Sequence, residues 1–412
     1  MAVAVRSLRH NRDFLKLWAG ETVSLIGSQV TMLALPLTAV LLLGAGPFEM
    51  GLLTAAGYAP FLLIGLFAGV WVDRRRRRPI LIAANVGRAA LLAAIPLAAA
   101  LGLLRIEQLY LVAFVVGVLT VFFDVAYTSY LPALVDREQL VEGNARLEVS
   151  RSVAQIAGPG TAGALVQLVG GALAVALDAL SYLVSAACLW WIRAEEPPPA
   201  AERQDRGIWT DLVEGLQTIV GDPVLRAVAA CTATLNLFGY VAQSVFVLYL
   251  VRDLGVAPAL TGLVMMALGP GALVGALLAA RMAARFGVGW TICAGPALSI
   301  VPAAMIALAA GPPPVVLPIL ILALFLQGML GTVYNVTQVS LRQRLVSDRL
   351  QGRMNATMRF VVWGTIPIGA LAGGALGETI GLRPVLAIGV VGCVLATLAV
   401  TLSPVRSVGD GL

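Results

Sequence analysis

The sequence predicts an all-α membrane protein of twelve transmembrane helices arranged as two six-helix repeats, and three observations carry that prediction. The first is composition. Of 412 residues, 59% are hydrophobic and only 12% charged, against about 25% charged and 45–50% apolar in a typical soluble domain. The roughly 243 apolar residues suffice for about twelve spans at some 20 residues each. The second is that the apolar residues fall into twelve separate runs. The third is that the chain matches itself without a gap at an offset of 211 residues.

The runs, bounded by Gly, Pro and charge clusters, cover in order 17 to 43, 49 to 72, 79 to 101, 109 to 131, 150 to 169, 172 to 192, 224 to 250, 260 to 283, 289 to 310, 315 to 339, 356 to 376 and 383 to 403. Stretches such as Ala89 to Leu101 are continuously apolar, whereas a membrane β-barrel would alternate over segments of about ten residues. The first run follows a charged leader, lacks a cleavage pattern and exceeds a signal-peptide core, so it is expected to stay in the protein.

Basic residues set the orientation. With both termini cytoplasmic, 24 of the 28 Lys and Arg lie inside, among them Arg6, Arg9, Arg12, Lys16, Arg406 and the run Arg74 to Arg78. Only Arg105, Arg252 and Arg383 fall outside, and Arg88 lies within the third span. The +6 net charge is thus a topology label rather than a nucleic-acid footprint. The expected location is a bacterial inner (plasma) membrane, multi-pass, with lipid around a monomer.

Chemistry by histidine or metal has no purchase. The single histidine, His10, lies in the leader, and Cys188, Cys231, Cys293 and Cys393 sit in four different spans without paired spacing. Neither metal nor cofactor is expected.

The 211-residue offset pairs Gly51 with Gly262, Arg74 with Arg285, Gly117 with Gly328, Asn144 and Ala145 with Asn355 and Ala356, Gly158 with Gly369, and Gly170 with Gly381. Six spans per copy give both copies the same orientation. Parallel repeats of this kind belong to transporters that rock about a midplane site. The chain therefore divides into an N-terminal half (1–192), a cytoplasmic linker (193–223) and a C-terminal half (224–412). In the linker, Glu195, Glu196 and Pro197 to Pro199 precede an interfacial amphipathic helix in which Trp209, Leu212, Val213, Leu216, Ile219 and Val220 recur at spacings of three and four. Its expected role is to orient the seventh span.

After the second span come Gly69, Asp73, Arg74, Arg77 and Arg78, and the fifth span carries Gly158, Pro159 and Gly163. The first set resembles the signature loop of the major facilitator superfamily, with Arg76 where that family usually has Gly. The second resembles the antiporter motif of its exporters, with Ala162 in place of one Gly. The stretches 11 to 27, 130 to 163 and 341 to 377 are similar to the drug:proton antiporter group that includes macrolide efflux and enterobactin export proteins. The resemblance implies the major facilitator fold, a cytoplasmic latch at Asp73 and Arg74, and export rather than import. The second copy of the loop keeps Arg285 without the acid, so the latch is asymmetric.

A charge in hydrocarbon costs several kcal/mol, so each intramembrane charge needs a reason. Asp124, on a face with Thr120, Tyr127 and Thr128, is the first candidate for proton coupling and Glu21 the second, since burial favours the protonated form of a carboxyl. Arg88 is a charge partner for either. Asp178, before Ser181 and Tyr182, reads as a satisfied helix-packing carboxylate. Asp124 pairs with Asn335 at the repeat offset, which places any coupling carboxylate in the first half. The resemblance makes the first, fourth, seventh and tenth spans line the cavity, with Ser28, Gln29, Asn236, Tyr240, Gln243, Gln327, Tyr334 and Asn335 as polar positions. Asn236, Tyr240 and Gln243 share one helical face. Such a lining suits a bulky amphiphile, because a phosphate binder would want converging Lys or Arg.

The expected function is secondary active, proton-coupled efflux of hydrophobic or amphiphilic small molecules. Siderophore or metabolite export is the alternative within transport. A membrane-embedded enzyme would want a cluster of Asp, Glu or His, and a non-transporting scaffold a plugged cavity. No P-loop is present to drive transport by ATP.

Overall fold

The structure, a computed structural model, describes Leu8, residues 11–136, residues 139–194, Glu196 and residues 208–408. Arg6, Arg9, His10 and the Pro197 to Pro199 part of the linker lie outside the described residues. The chain folds as two units, Met1–Gly44 with Ala56–Gln204, and Ala45–Ala55 with Asp205–Leu412.

In the first unit, α1 (Arg12–Leu41) starts on Asn11, whose side chain accepts hydrogen bonds from the backbone N–H groups of Asp13 and Phe14 at 3.2 and 3.0 Å. The cap satisfies donors that the first helical turn leaves unpaired. The second span is two helices, α2 (Pro47–Leu63), whose residues up to Ala55 belong to the second unit, and α3 (Gly65–Asp73), interrupted at Ile64 between Pro60 and Gly65. Proline withholds an N–H from the ladder and glycine weakens it, so the break falls there. α4 (Arg77–Ala100), α5 (Ile106–Leu134), α6 (Leu140–Val169) and α7 (Gly171–Trp190) complete the unit. Phe14, Leu17, Leu81, Phe123, Tyr130 and Leu189 meet in its core.

The second unit contains α8 (Ile208–Gly221), α9 (Pro223–Leu248) running into a π turn at Tyr249–Asp253, α10 (Pro258–Met266), α11 (Leu268–Phe286), α12 (Val288–Leu308), α13 (Pro313–Leu345), α14 (Asp348–Ile380) and α15 (Leu382–Thr401). Val245, Phe246, Tyr249, Leu320 and Val385 form its core. Ten helices or continuous helix pairs among the described residues are long and apolar enough to cross a membrane. The broken α2–α3 pair and the α6 helix, diluted by Gln155, Gln167 and its Gly158-Pro159-Gly160 segment, supply the other two crossings. The chain is a multi-pass, all-α membrane protein.

The internal repeat is visible in the packing. A Cβ on Gly117 would lie 2.7 Å from the Gly57 carbonyl oxygen, and one on Gly328 would run into the carbonyl of Leu268, the repeat counterpart of Gly57. Gly158 abuts Gln29, and its counterpart Gly369 abuts Tyr240, the counterpart of Gln29. Glycine at each crossing lets two backbones approach closely. Gly170 (φ +83°) joins α6 to α7, and Gly381 (φ +87°) joins α14 to α15, a left-handed backbone that a Cβ disfavours.

Helix α8 packs on α14 as well as α9. Glu214 forms an ion pair with Arg353, Gly215 abuts the Arg353 carbonyl and Thr357, and Ile219 is buried with Leu225, Met354 and Met358. Val213, Leu216 and Val220 are exposed on the opposite side. The side chains of Trp209 and Leu212 lie outside the described residues.

Candidate functional site

Three buried charged side chains converge in the first unit: Glu21 on α1, Arg88 on α4 and Asp178 on α7, 8%, 4% and 1% exposed. Burying a charge is costly unless it is paired or well hydrogen-bonded, so their partners define the site. Arg88 donates from Nη2 to Asn85 Oδ1 at 2.5 Å and from Nη1 to Thr120 Oγ1 at 3.5 Å. Its guanidinium lies between two rings, 4.3 Å from the Phe123 centroid and 4.2 Å from that of Tyr182. Asn85 is in turn held by donating to Ser185 Oγ at 2.9 Å. Two aromatic faces and an amide thus hold the cation, a geometry that suits the weakly hydrated, planar guanidinium.

The carboxylates are less well served. Glu21 Oε2 and Asp178 Oδ2 are buried and have no hydrogen-bond partner. Glu21 is within electrostatic range of Arg88, Asp124 and Arg151, and Asp178 within range of Arg88. The Asp178 Oδ1 atom lies 3.0 Å from Ser181 Oγ. Thr31 on α1 also faces Asp178, though its buried hydroxyl makes no hydrogen bond of good geometry. Next to Glu21, Tyr127 is buried and its hydroxyl has no hydrogen-bond partner. Tyr127 also lines a cleft of about 480 Å³ between α5 and α6, with Thr128, Asn144, Glu148 and Arg151 on its walls.

Several expectations are corrected by this geometry. Asp124 is exposed rather than buried, because Phe123, Ala126 and Tyr127 turn their side of α5 into the core and leave Asp124 and Thr128 off it, while Thr120 is half-buried against Arg88. Arg88 is held by Asn85, Thr120 and the two rings rather than by an ion pair with Glu21 at contact distance. Asp178 is not fully satisfied, as its free oxygen shows. Tyr334 does not stand in an open lining: it is 5% exposed, packs on Gly295 and its hydroxyl lies 2.8 Å from Thr232 Oγ1.

Of the remaining positions, Ser28 Oγ is 2.8 Å from the Tyr182 hydroxyl and Gln29 packs on Gly158. Asn236 donates to its own helix at Thr232 O. Gln243, Gln327 and Asn335 are exposed and Tyr240 half-buried, and Asn335 accepts from Gln338 at 3.0 Å. Sequence reasoning missed Asn85, Phe123 and Tyr182 as the holders of Arg88. Asn85 was discoverable, since it precedes Arg88 by three residues on one helical face. The rings come from other helices and leave no local signal.

In the loop after α3, the side chain of Asp73 lies outside the described residues, while Arg74 is exposed and Gly69 half-buried. Arg77 and Arg78 have definite partners within the first unit. Glu196 accepts from their backbone N–H groups at 2.6 and 3.3 Å, capping α4, and lies 3.5 Å from the Arg77 guanidinium. Arg78 donates to the carbonyls of Leu189 and Trp190 at the end of α7, where the helix dipole favours a cation. Among the described residues no three His, Cys, Asp or Glu side chains converge on a metal site.

A family model described as transmembrane secretion effector matches residues 4–410. The chain is 27% identical over 392 residues, covering 90% of itself and 93% of the relative, to the multidrug efflux pump Tap of Mycolicibacterium fortuitum. It is 25% identical to macrolide efflux protein A of Streptococcus pyogenes over 55% of this chain and 56% of that protein. Among solved structures, a bacterial homologue of the iron transporter ferroportin in an inward-facing state superposes with a TM-score of 0.74 at 18% identity, covering 96% of this chain and 99% of that one. The nucleoside transporter NupG (D323A mutant) gives 0.76 at 14% identity, covering 95% and 99%. With two helical units built on one repeat, and a family match from end to end, the chain belongs to the transmembrane secretion effector family of the major facilitator superfamily and is a membrane transporter rather than an enzyme.

Proposed function

We propose that the protein exports hydrophobic or amphiphilic small molecules from the cytoplasm across a bacterial inner membrane, driven by inward proton flow and alternating access, with both termini cytoplasmic. The observation that carries the coupling is Glu21: a buried carboxylate with a free oxygen, beside Tyr127, a residue that lines the α5–α6 cleft. Such a group gains by accepting a proton when water leaves it and by releasing the proton when a cation or water returns. Asp124, the other acid within electrostatic range of Glu21, serves as a relay on α5. The names of two relatives, a multidrug pump and a macrolide efflux protein, support export and an amphiphilic cargo.

The test is uptake of a fluorescent cationic dye into everted vesicles energised by respiration. The wild type accumulates dye and loses it on adding a protonophore. Glu21→Gln abolishes proton-driven accumulation while downhill dye exchange persists. Full proton-driven uptake by Glu21→Gln would remove Glu21 from the coupling role, and protonophore-insensitive uptake by the wild type would remove the proton.

A further inference from the structure

The buried charges of the first unit do not balance. Among the described residues of that unit, Glu21 and Asp178 face a single buried cation, Arg88. The other charged groups in range are Asp124 on α5 and Arg151 on α6, with Tyr127 and Tyr182 as further titratable neighbours. Asp124 and Arg151 are exposed and of opposite sign, and Arg151 already lies 3.8 Å from Glu148. One buried cation can balance one buried carboxylate, and the second is stable there only as the neutral acid.

The hydrogen bonding of Asp178 is one-sided: its Oδ1 has a donor in Ser181, while its buried Oδ2 has none. Ser181 Oγ lies 2.8 Å from the backbone carbonyl of Asp178 and 3.0 Å from its Oδ1, yet a serine hydroxyl has one hydrogen to donate.

The second unit shows that the fold does not require these groups. At the repeat offset Glu21 corresponds to Thr232, Arg88 to Ser299, Tyr182 to Cys393, Asp178 to Gly389 and Ser181 to Gly392. Gly27, which packs against Asp178 and Ser181, corresponds to Phe238, which packs against Gly389 and Gly392. One helix crossing is therefore filled in one copy by an aromatic ring against Gly392, with Gly389 facing Ala242 and the Phe238 backbone. In the other copy, a glycine makes room for a carboxylate and a hydroxyl. A packing role is met without charge, which leaves the charge itself to be explained.

We propose that Glu21 and Asp178 share one proton across Arg88, making Asp178 a second proton-binding site of this transporter. Asp178 packs on Gly27, which follows Glu21 along α1 by roughly 9 Å of helix rise, and the Arg88 guanidinium is within electrostatic range of both acids. When Glu21 is ionised it is balanced by Arg88 and Asp178 holds the proton; when Glu21 takes the proton, Asp178 becomes the ionised partner. The titration then belongs to the pair rather than to either residue. This extends, and rests on, the reading of Glu21 as the coupling carboxylate.

The test is infrared difference spectroscopy of the full-length protein in lipid nanodiscs, reading the carbonyl stretch of protonated carboxylic acids near pH 7, where exposed carboxylates are ionised. The wild type shows one such acid. Glu21→Gln and Asp178→Asn each lose it, because the surviving carboxylate is then balanced by Arg88. Arg88→Gln shows twice the wild-type band. Survival of the band in either single carboxylate variant, or its absence from the wild type, overturns the shared proton. Monodispersity on size exclusion checks folding, and if Asp178→Asn does not fold, Asp178→Gly and Ser181→Gly combined with Gly27→Phe copies the packing of the second unit and takes its place. The spectrum needs no transport, so the two readings fail separately. Protonophore-insensitive vesicle uptake with this band pattern removes proton coupling and leaves the shared proton standing. Proton-driven uptake without the pattern does the reverse.

Discussion

Substituting Gly27 with alanine isolates the packing behind the buried carboxylate. A Cβ at this position would stand 2.5 Å from Asp178 Oδ1 and 2.8 Å from Ser181 Cβ, both inside van der Waals contact. Neither atom can retreat freely, because Asp178 and Ser181 belong to a helix packed along α1. Overpacking of this kind costs about 1–3 kcal/mol. In a background carrying Asp178→Gly and Ser181→Gly those atoms are gone, and the arrangement approaches that of Phe238 against Gly389 and Gly392. There Gly27→Ala gains the helical preference of alanine over glycine, about 0.5–1 kcal/mol. The same substitution therefore changes sign between backgrounds, a coupling of about 1.5–4 kcal/mol. Unfolding in mixed detergent micelles, followed by tryptophan fluorescence for all four proteins, measures it. An effect of equal sign and size in both backgrounds would falsify the packing account, and with it the comparison of the two copies at this crossing.

Two further outcomes follow from contacts outside the membrane core. Glu196→Ala removes the cap of α4 and the partner of Arg77, and should lower stability by about 1–2 kcal/mol; Glu196→Gln, which keeps one acceptor, should recover part of it, and thermal unfolding that leaves all three proteins alike refutes the capping role. Arg353→Ala breaks the ion pair with Glu214, whose side chains are 21% and 36% exposed, so the loss is about 0.2–1 kcal/mol. That should speed amide exchange across residues 208–221 up to about fivefold, and unchanged exchange in that segment would show that Gly215 and Ile219 alone seat α8.

How far the site was legible depended on the range of the interaction. The apolar runs announced the spans and the matched glycines announced the repeat; that Gly117 and Gly328 abut carbonyls that are themselves repeat counterparts came from the structure. The charged residues were found as well, since Glu21, Arg88, Asp124 and Asp178 stand out in an apolar chain. Their ranking was not legible. The helical period places Asp124 on a face with Thr120, Tyr127 and Thr128, but only the packing against other helices decides that Tyr127 enters the core, that Thr120 meets Arg88, and that Asp124 and Thr128 stay out. Arg88 illustrates the same limit, because its two ring partners lie on α5 and α7, far away in sequence.

The sequence by itself determined that this is a membrane transporter of helical spans in two repeated units, because hydrocarbon demands apolar helices and a repeat leaves its spacing in the chain. Only the tertiary structure decided which carboxylates lose contact with water, which atoms hold Arg88, and that one cation faces two acids. Those outcomes depend on distances between residues of different helices. In a medium where an unpaired charge is so costly, such distances decide which group is driven to carry a proton.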